Sequence, residues 1–332
     1  MNMMTIDALP EATIALAVSR LRAGDLVGFP TETVYGLGAD AANAHAIAKL
    51  FTLKGRPADH PVIVHLASPA QVDDWAVDVP DAARRLLERF APGPLTLILR
   101  KGARVPDVVT GGQDTVGLRF PSHPVARELL RAFGGGIAAP SANRFGRISP
   151  TTAQHVADEF GAALPLILDG GPCAVGIEST IVDLSRGPAV LLRPGGVPAA
   201  ALAEALGYAP ALRDGGAPRV SGDLPSHYAP ATRTRMVRAA DLAAHHLAGM
   251  ARAAGAPATA IGVLARTAAM PADFTGVWRQ APAAPEDFAR ALYAELRLLD
   301  ASGMDLILVE APPADGAWHA VEDRLRRATH AG

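Results

Sequence analysis

Residues 28–38 read GFPTETVYGLG, a stretch that leaves an apolar run at 26–29 and ends on two glycines. Two threonines, a glutamate and a tyrosine lie between. Glycines let backbone amides approach a ligand, and hydroxyls supply uncharged hydrogen bonds. The stretch therefore predicts either a ligand-binding loop after a strand or a tight turn that caps a helix. The residues alone favour neither reading.

Short apolar runs alternate with helical patterns on both sides of this stretch. Predicted strands cover 26–29, 62–66, 95–99, 116–120, 137–139, 166–168, 181–184 and 190–192. Predicted helices cover 10–22, 43–53, 80–90, 124–133, 150–160 and 198–206. Asn43 and the Ser149-Pro150 pair are predicted helix starts, because a side-chain acceptor and a proline suit a first turn. This alternation is typical of an α/β domain with helices flanking a sheet.

The periodicity disappears between 207 and 232, where Gly, Pro, Asp and Ser dominate. Such a composition predicts an interdomain linker. Beyond it, strand-like runs at 259–265 and 306–309 and helix-like runs near 239–253, 285–300 and 316–329 predict a smaller α/β domain. We therefore expect one domain over 1–206 and a second over 233–332, which suits a chain of 332 residues.

Composition limits the classes of function. Apolar residues make up 49% of the chain, and the formal net charge of −2 predicts no global attraction to nucleic acid. Cys173 is the single cysteine, which excludes an intrachain disulfide and a cysteine-cluster zinc site. Asp7 and Glu11 precede the first apolar run, and no run approaches roughly 18 apolar residues, so we expect neither a signal peptide nor a membrane span. The expected location is cytoplasmic.

Residues 54–61 read KGRPADHP and lie directly before a predicted strand. Lys54 and Arg56 flank a glycine, with His60 and His65 nearby, and such a compact cationic rim suits phosphate oxygens. A Walker P-loop is absent from the sequence. A solvated basic loop is the competing interpretation, and His65 could equally be a core histidine.

Arg119 interrupts an otherwise apolar strand in the sequence TVGLRFPSHP at 115–124. A buried guanidinium needs an anionic partner or a full set of acceptors. A ligand carboxylate and a structural ion pair both satisfy this need, and the sequence leaves both open.

Two further stretches contribute hydroxyls and cations. In residues 138–150, Ser141 and Asn143 follow a strand, and Ser149 is predicted to open a helix whose free amides favour an anion; no G-x-S-x-G elbow marks a nucleophilic serine. GIEST at 176–180 and LRPGG at 192–196 add a second hydroxyl pair and an isolated arginine. This inventory is typical of a site that positions a phosphorylated cosubstrate and a small zwitterion by orientation and charge stabilisation.

Seven ordered motifs within residues 10–200 closely resemble the YrdC family of threonylcarbamoyl-AMP synthases. They are FPTETVYGLGADA, KGRPADHPVIVH, PGPLTLIL, TVGLRFPSHP, APSANRFGRISPT, GIESTIVD and LLRPGG. The linker SGDLPSHYAP and the added domain resemble the long, two-domain form of the family. The resemblance implies a twisted mixed sheet with flanking helices, followed by a Rossmann-like C-terminal α/β domain on a long linker.

The resemblance also implies a reaction. ATP, L-threonine and bicarbonate would give threonylcarbamoyl-AMP, pyrophosphate and water, or the first two products alone if CO₂ enters, with Mg²⁺ carried by the nucleotide phosphates. Partner threonylcarbamoyl-transferase proteins would then modify the adenosine beside the anticodon of tRNAs that read ANN codons. This step itself does not require a tRNA contact.

The same resemblance assigns residues to the two substrates, with no dedicated metal ligand. Threonine would be contacted by Thr33, His65, Arg119, the backbone of Ala139, and Ser179. ATP would be contacted by Arg56, His60, Thr115, Ser141, Ser149, Arg193 and the linker Tyr228. Lys54 and Arg56 would disperse the developing charge as catalytic cations. Family members often carry Asn at position 60, and we expect the linker to fold over the site as a lid that brings Tyr228 to the nucleotide.

Two alternatives belong to other classes. A double-stranded RNA-binding module would present an extended basic stripe, whereas the polar residues here fall in short loops. The carbamoyltransferase of hydrogenase maturation contains a related domain together with cysteine-rich zinc motifs, which a single cysteine excludes.

Overall fold

The structure is a computed structural model that describes residues 10–213, 216–222, 224, 226–255, 257 and 260–330. The chain divides into two compact units, Met1–Phe145 with Ser149–Asp223, and Gly146–Ile148 with Leu224–Gly332. The segment predicted as a linker is therefore shared between the units. Asp7 and Thr259, used in two predictions, lie outside the described residues. In the described part of the chain, the helices are too short or too polar to cross a membrane.

The first unit builds a mixed sheet, which confirms the predicted fold class. Its described strands are β1 (Val27–Phe29), β2 (Gly36–Asp40), β3 (Ile63–His65), β4 (Ala76–Val77), β5 (Leu95–Lys101), β6 (Thr115–Arg119), β7 (Ile137–Ala138), β8 (Thr180–Asp183), β9 (Val190–Arg193) and β10 (Ala211–Leu212). The strand order is β1-β2-β7-β3-β6-β5-β8-β9-β10, and β4 pairs with β5. The parallel pairs are β3/β6, β5/β8 and β9/β10, so parallel ladders meet antiparallel ones at the centre.

The helices of this unit pack into two apolar clusters. They are α1 (Glu11–Arg22), α2 (Ala44–Lys54), α3 (Val72–Trp75), α4 (Asp81–Phe90), α5 (Asp107–Thr110), α6 (Pro124–Phe133), α7 (Ala153–Phe160) and α8 (Ala199–Leu206). Helices α1 and α6 bury Leu21 and Leu129 together with Phe29 of the sheet. Helices α2, α4 and α8 contribute to the other cluster, which includes Leu50 and Leu86. The six predicted helices are all present, with ends shifted by a few residues.

Three local predictions differ from the structure. The glycine-rich end of the opening stretch forms β2, antiparallel to β1, rather than a loop. Gly38 permits this close pairing, because a side chain there would lie 2.9 Å from the Phe29 ring. The predicted strand at 166–168 makes only one bridge, between Ile167 and Gly28. The helix predicted to start at Ser149 begins at Ala153 instead, because Thr152 is its extended N-cap and accepts from His155 N at 3.2 Å.

The predicted N-cap Asn43 is confirmed, since its Oδ1 accepts from His45 N at 3.0 Å and from Ala46 N at 3.2 Å. Replacing Asn43 with alanine leaves both amides without that acceptor, so we expect a loss of about 1 kcal/mol in the free energy of unfolding. Urea denaturation measures this change. Serine at the same position supplies an equivalent oxygen, so Asn43→Ser should lower the free energy of unfolding by only about a few tenths of a kcal/mol. Equal losses for the two variants would contradict the capping role.

The second unit contains a parallel sheet with flanking helices, in agreement with the predicted smaller α/β domain. Its strands are β11 (Thr234–Val237), β12 (Ile261–Ala265), β13 (Val277–Gln280) and β14 (Leu306–Glu310), in the order β11-β14-β12-β13. The pairings among them are all parallel. The helices are α9 (Ala244–Ala254), α10 (Pro285–Asp300) and α11 (His319–Ala328). Strands β11 and β13 were not predicted, because each is only four residues long and includes an arginine.

Candidate functional site

A row of polar side chains crosses the central strands of the first unit. His65 at the end of β3 is the register partner of Arg119 in β6, which is in turn the partner of Thr96 in β5. Register partners project to the same face of a sheet. Thr96 Oγ1 lies 2.8 Å from Ser179 Oγ, just before β8. The sheet thus brings together His65, Arg119 and Ser179, three of the five predicted threonine contacts. Thr96 also belongs to this row, but it was not predicted because it lies in the mainly apolar sequence LTLIL.

The opening loop connects Thr33 to this row. Thr31 Oγ1 lies 2.9 Å from Thr33 Oγ1 and 3.5 Å from Arg119 Nη2, and it donates to Val34 O at 2.6 Å. Ala139 follows β7, and its N–H donates to Ile63 O at 2.9 Å. The five predicted threonine contacts therefore all belong to the first unit.

Arg119 pairs with a carboxylate of the protein itself. Its Nη2 lies 2.8 Å from Glu32 Oε1, and the two side chains are only 5% and 7% exposed. Glu32 Oε2 also accepts from Ser122 N at 3.1 Å. A buried charge is costly unless it is paired, so the ion pair accounts for an arginine in an apolar strand. Arg119 Nε is buried and has no hydrogen-bond acceptor among the described residues, so this donor is not satisfied by the ion pair.

His65 supplies a neutral imidazole to the row. Burial, and then the nearby Arg119 guanidinium, lower the pKa of His65 from 6.5 to about 3. The ring meets Phe29 edge to face, with centroids 6.1 Å apart. At neutral pH His65 therefore acts through hydrogen bonds and shape rather than through charge.

The lowered pKa of His65 predicts a loss of stability in acid. The unfolded chain takes up a proton on this residue below about pH 6.5, whereas the folded chain resists protonation down to about pH 3. At pH 5 the histidine should therefore cost on the order of 2 kcal/mol relative to pH 8. Denaturation of the wild type and of His65→Asn at both pH values measures this difference; the same pH dependence in both proteins would contradict the burial of a neutral imidazole.

The Arg56 side chain is buried although Gly55 and residues 57–59 around it are exposed, so the competing interpretation of a solvated basic loop fits the backbone but not this guanidinium. Its Nη2 donates to Pro61 O at 2.7 Å, and its Nε donates to His60 O at 3.3 Å. The guanidinium lies 5.7 Å from the centre of the Phe145 ring, and the His60 ring meets the same ring edge to face. These contacts fix the cation within the loop that precedes β3.

Lys54 lies beneath the loop that follows β7. Its ammonium donates to Ser141 O at 2.6 Å and to Asn143 O, so two of its three donors hold backbone carbonyls. Burial and the nearby Arg56 charge lower the pKa of Lys54 well below its usual range. Lys54 thereby positions Ser141, and its expected contact with phosphate stays a prediction.

Ser221 joins the two predicted nucleotide arginines. Arg193 Nη1 donates to Ser221 O at 2.7 Å, and Arg56 Nη2 donates to Ser221 Oγ at 3.3 Å. Arg193 also donates to Ser179 O at 2.8 Å and to Ser179 Oγ at 3.2 Å, which connects it to the polar row. Sequence reasoning missed Ser221 because it lies in an aperiodic stretch predicted to be a linker.

The segment around Ser221 fills the cleft beside Thr115. Val220 packs with Ile63, Ile98 and Ile181 of the sheet. The cavity that remains between this segment and the strands measures about 10 Å³, roughly the space for one water molecule. The first part of the predicted linker therefore lies on the same cleft as the predicted nucleotide residues.

Ser149 and Tyr228 each have other contacts within their own units. Ser149 Oγ donates to Glu178 Oε1 at 2.6 Å, and both residues are buried. Tyr228 belongs to the second unit, where its ring packs against Tyr293 and lies under the Arg324 guanidinium. The expected nucleotide contact of Tyr228 stays a prediction.

The carboxylates of the site do not form a metal cage. Glu32 pairs with Arg119, and Glu178 accepts from Ser149. Throughout the described ranges, no group of three or more His, Cys, Asp or Glu side chains could hold a metal ion. The residues present do not fit a resident Mg²⁺.

Two family models match the chain. One, the Sua5/YciO/YrdC model described as "Telomere recombination", matches residues 19–195. The other, described as "Threonylcarbamoyl-AMP synthase, C-terminal domain", matches residues 197–330. Their common boundary falls just before α8.

Known proteins show the same likeness. Two relatives named threonylcarbamoyl-AMP synthase, from Pyrococcus abyssi and Bacillus subtilis, are each 48% identical, over 201 and 188 residues. These matches cover 60% and 56% of this chain but only 59% and 54% of the relatives, so the chain matches little more than half of their length. The crystal structure of P. abyssi Sua5 complexed with L-threonine superimposes with a TM-score of 0.88 and 38% identity, over 98% of this chain and 96% of that one.

Proposed function

The chain belongs to the Sua5/YciO/YrdC family, and on that premise we propose that it is a threonylcarbamoyl-AMP synthase. This nucleotidyltransferase would combine ATP, L-threonine and bicarbonate or CO₂ into threonylcarbamoyl-adenylate, with release of pyrophosphate, and of water when bicarbonate is the carbon source. The observation that carries the proposal is the series that runs from Arg119 to its register partner Thr96, and from Thr96 by hydrogen bonds through Ser179 to Arg193. It joins a site for an amino-acid carboxylate to a pair of cations for phosphate.

Threonine would bind along the polar row. Its carboxylate would meet Arg119, and its hydroxyl and carbamate would meet the neutral donors and acceptors of Thr33, His65, Ser179 and the Ala139 backbone. A site built to hydrogen-bond a substrate hydroxyl rejects analogues that lack it, because its own buried groups would then stay unpaired. The proposed role of the row is therefore selection as well as orientation.

The nucleotide would bind where Ser221 now bridges two arginines. Phosphate oxygens accept from guanidinium groups more strongly than a serine does, so ATP would displace the segment at 219–221 from Arg56 and Arg193. Thr115, Ser141, Ser149 and His60 complete the proposed nucleotide contacts. We propose that this segment acts as the lid: ATP displaces it, and it then closes over the product to exclude water.

The proposed chemistry balances without a protein nucleophile. Threonine's amine and bicarbonate give a carbamate and water. A carbamate oxygen then forms a bond to the α-phosphorus, and the bond to the β-phosphate bridge oxygen breaks to release pyrophosphate. Lys54 and Arg56, together with Arg193, would disperse the charge that develops on the phosphates. Mg²⁺ would arrive as part of the nucleotide substrate, and partner threonylcarbamoyl-transferase proteins in the cytoplasm would pass the product to tRNA.

One incubation tests the proposal. The protein is mixed with Mg·ATP, threonine and bicarbonate, pyrophosphate release is followed, and the adenylate is identified by mass, with valine, which carries a methyl group in place of the threonine hydroxyl, as the control amino acid. We expect pyrophosphate and the adenylate only when threonine and bicarbonate are both present. Pyrophosphate release that is independent of threonine, or no adenylate, would contradict the proposal. No feature of the site favours the double-stranded RNA alternative, and the formal net charge is −2.

A further inference from the structure

A separate cavity of about 530 Å³ opens in the first unit. It lies among the end of α1, one face of α2 and the segment at 163–166, and it shares no lining residue with the proposed synthase site. Leu26, Leu53, Leu164 and Leu166 make much of its surface apolar. Pockets for small ligands typically measure about 300–1,000 Å³ and combine an apolar lining with a few polar groups.

Helix α2 buries one face in the core and leaves a second stripe only partly covered. Ala46, Ile47 and Leu50 are buried in the main apolar cluster. Residues 45, 48, 49, 52 and 53 line the cavity, at the spacing of a single helical stripe. The stripe combines Leu53 with Lys49, so a ligand on this face would meet apolar surface beside a cation.

The charges at the mouth of the cavity do not balance. Arg20 Nη1 and Lys49 Nζ each lie 3.4 Å from the carboxylate of Asp25, so two cations share one anion. Lys49 Nζ also donates to Gly24 O at 3.0 Å. The three charged side chains are 41–51% exposed, and such loose surface pairs contribute little to stability. The mouth thus retains a net positive charge that an incoming anion can neutralise.

We propose that this cavity binds a small amphipathic anion, a carboxylate on an alkyl or aryl body. The anionic head would lie between Arg20 and Lys49, and the body would cover Leu26, Leu53 and Leu166. Because the cavity shares no residue with the proposed synthase site, this proposal does not depend on the proposed synthase function.

Calorimetry of the full chain with octanoate, decanoate and decanol tests the two halves of the proposal. Each added methylene that is buried should tighten binding roughly fourfold, so decanoate should bind about fifteen times more tightly than octanoate, at one site per chain. Decanol, which lacks the charge, should bind about tenfold more weakly than decanoate or worse. Equal affinities for decanoate and decanol, or no dependence on chain length, would overturn the proposal.

Charge-reversal variants locate the site. Lys49→Glu and Arg20→Glu should each weaken decanoate binding by about tenfold or more. Arg85→Glu on α4 makes the same charge change at an exposed position outside the cavity and should leave binding unchanged. Thermal melts check that the variants fold. If one of the two cavity variants does not fold, the other still tests the proposal. Binding that survives in both, or co-sedimentation with anionic lipid vesicles that Lys49→Glu abolishes, would overturn the assignment to a free small molecule.

Discussion

Arg119→Gln should lower kcat/KM for threonine by about 10²- to 10³-fold, because the charged donor of the polar row is lost. The same change should also destabilise the fold by about 3–5 kcal/mol, since it leaves the Glu32 carboxylate buried without its partner. Pyrophosphate release at varied threonine concentration measures the first effect, and urea denaturation measures the second. The two effects have different causes and can be separated.

The double variant Arg119→Gln with Glu32→Gln separates them. Removing both charges eliminates the unpaired carboxylate, so much of the lost stability should return. Activity should not return, because the site would still lack a cation for the amino-acid carboxylate. If the double variant regained threonine-dependent activity, Arg119 would serve only the ion pair and the proposed substrate role would be wrong.

The Glu32–Arg119 pair also shows how far sequence reasoning reaches. The sequence predicts that Arg119 needs an anion, because a guanidinium in an apolar strand must be compensated. It does not say which anion, since Glu32 lies 87 positions away along the chain and only the folded loop brings it to 2.8 Å. Burial requirements are local and can be predicted, whereas the choice of partner depends on the tertiary structure.

Ser221 and Ser149 are two further residues whose surroundings could not be predicted from the sequence. Ser221 lies in a stretch without periodicity, where sequence patterns carry no information about which backbone atoms face a site. Ser149 precedes a proline, a pattern that predicts a helix start, but Pro150 O accepts from Tyr35 N at 2.8 Å, and the helix begins only after Thr152. Elements with strong periodicity, such as α2 and α6, were predicted to within one residue, because their apolar faces specify them directly.

Arg56→Gln should raise KM for ATP by about 10- to 100-fold, because a charged hydrogen-bond donor to phosphate is worth roughly 1.5–3 kcal/mol. KM for threonine should change less, since the guanidinium of Arg56 donates to the loop at 60–61 and to Ser221. Arg186→Gln removes an exposed arginine paired with Asp114 and is the matched control, for which we expect unchanged kinetics.

Ser221→Ala decides whether Arg56 acts on the nucleotide or only on the covering segment. If Arg56 served merely to hold that segment, removing the Ser221 hydroxyl, which accepts from Arg56 at 3.3 Å, would reproduce the rise in KM for ATP. Our proposal predicts the opposite: without the competing acceptor, the guanidinium is freer to meet phosphate, so KM for ATP should stay constant or fall. A rise in KM for ATP in Ser221→Ala that equals the effect of Arg56→Gln would remove Arg56 from the nucleotide site.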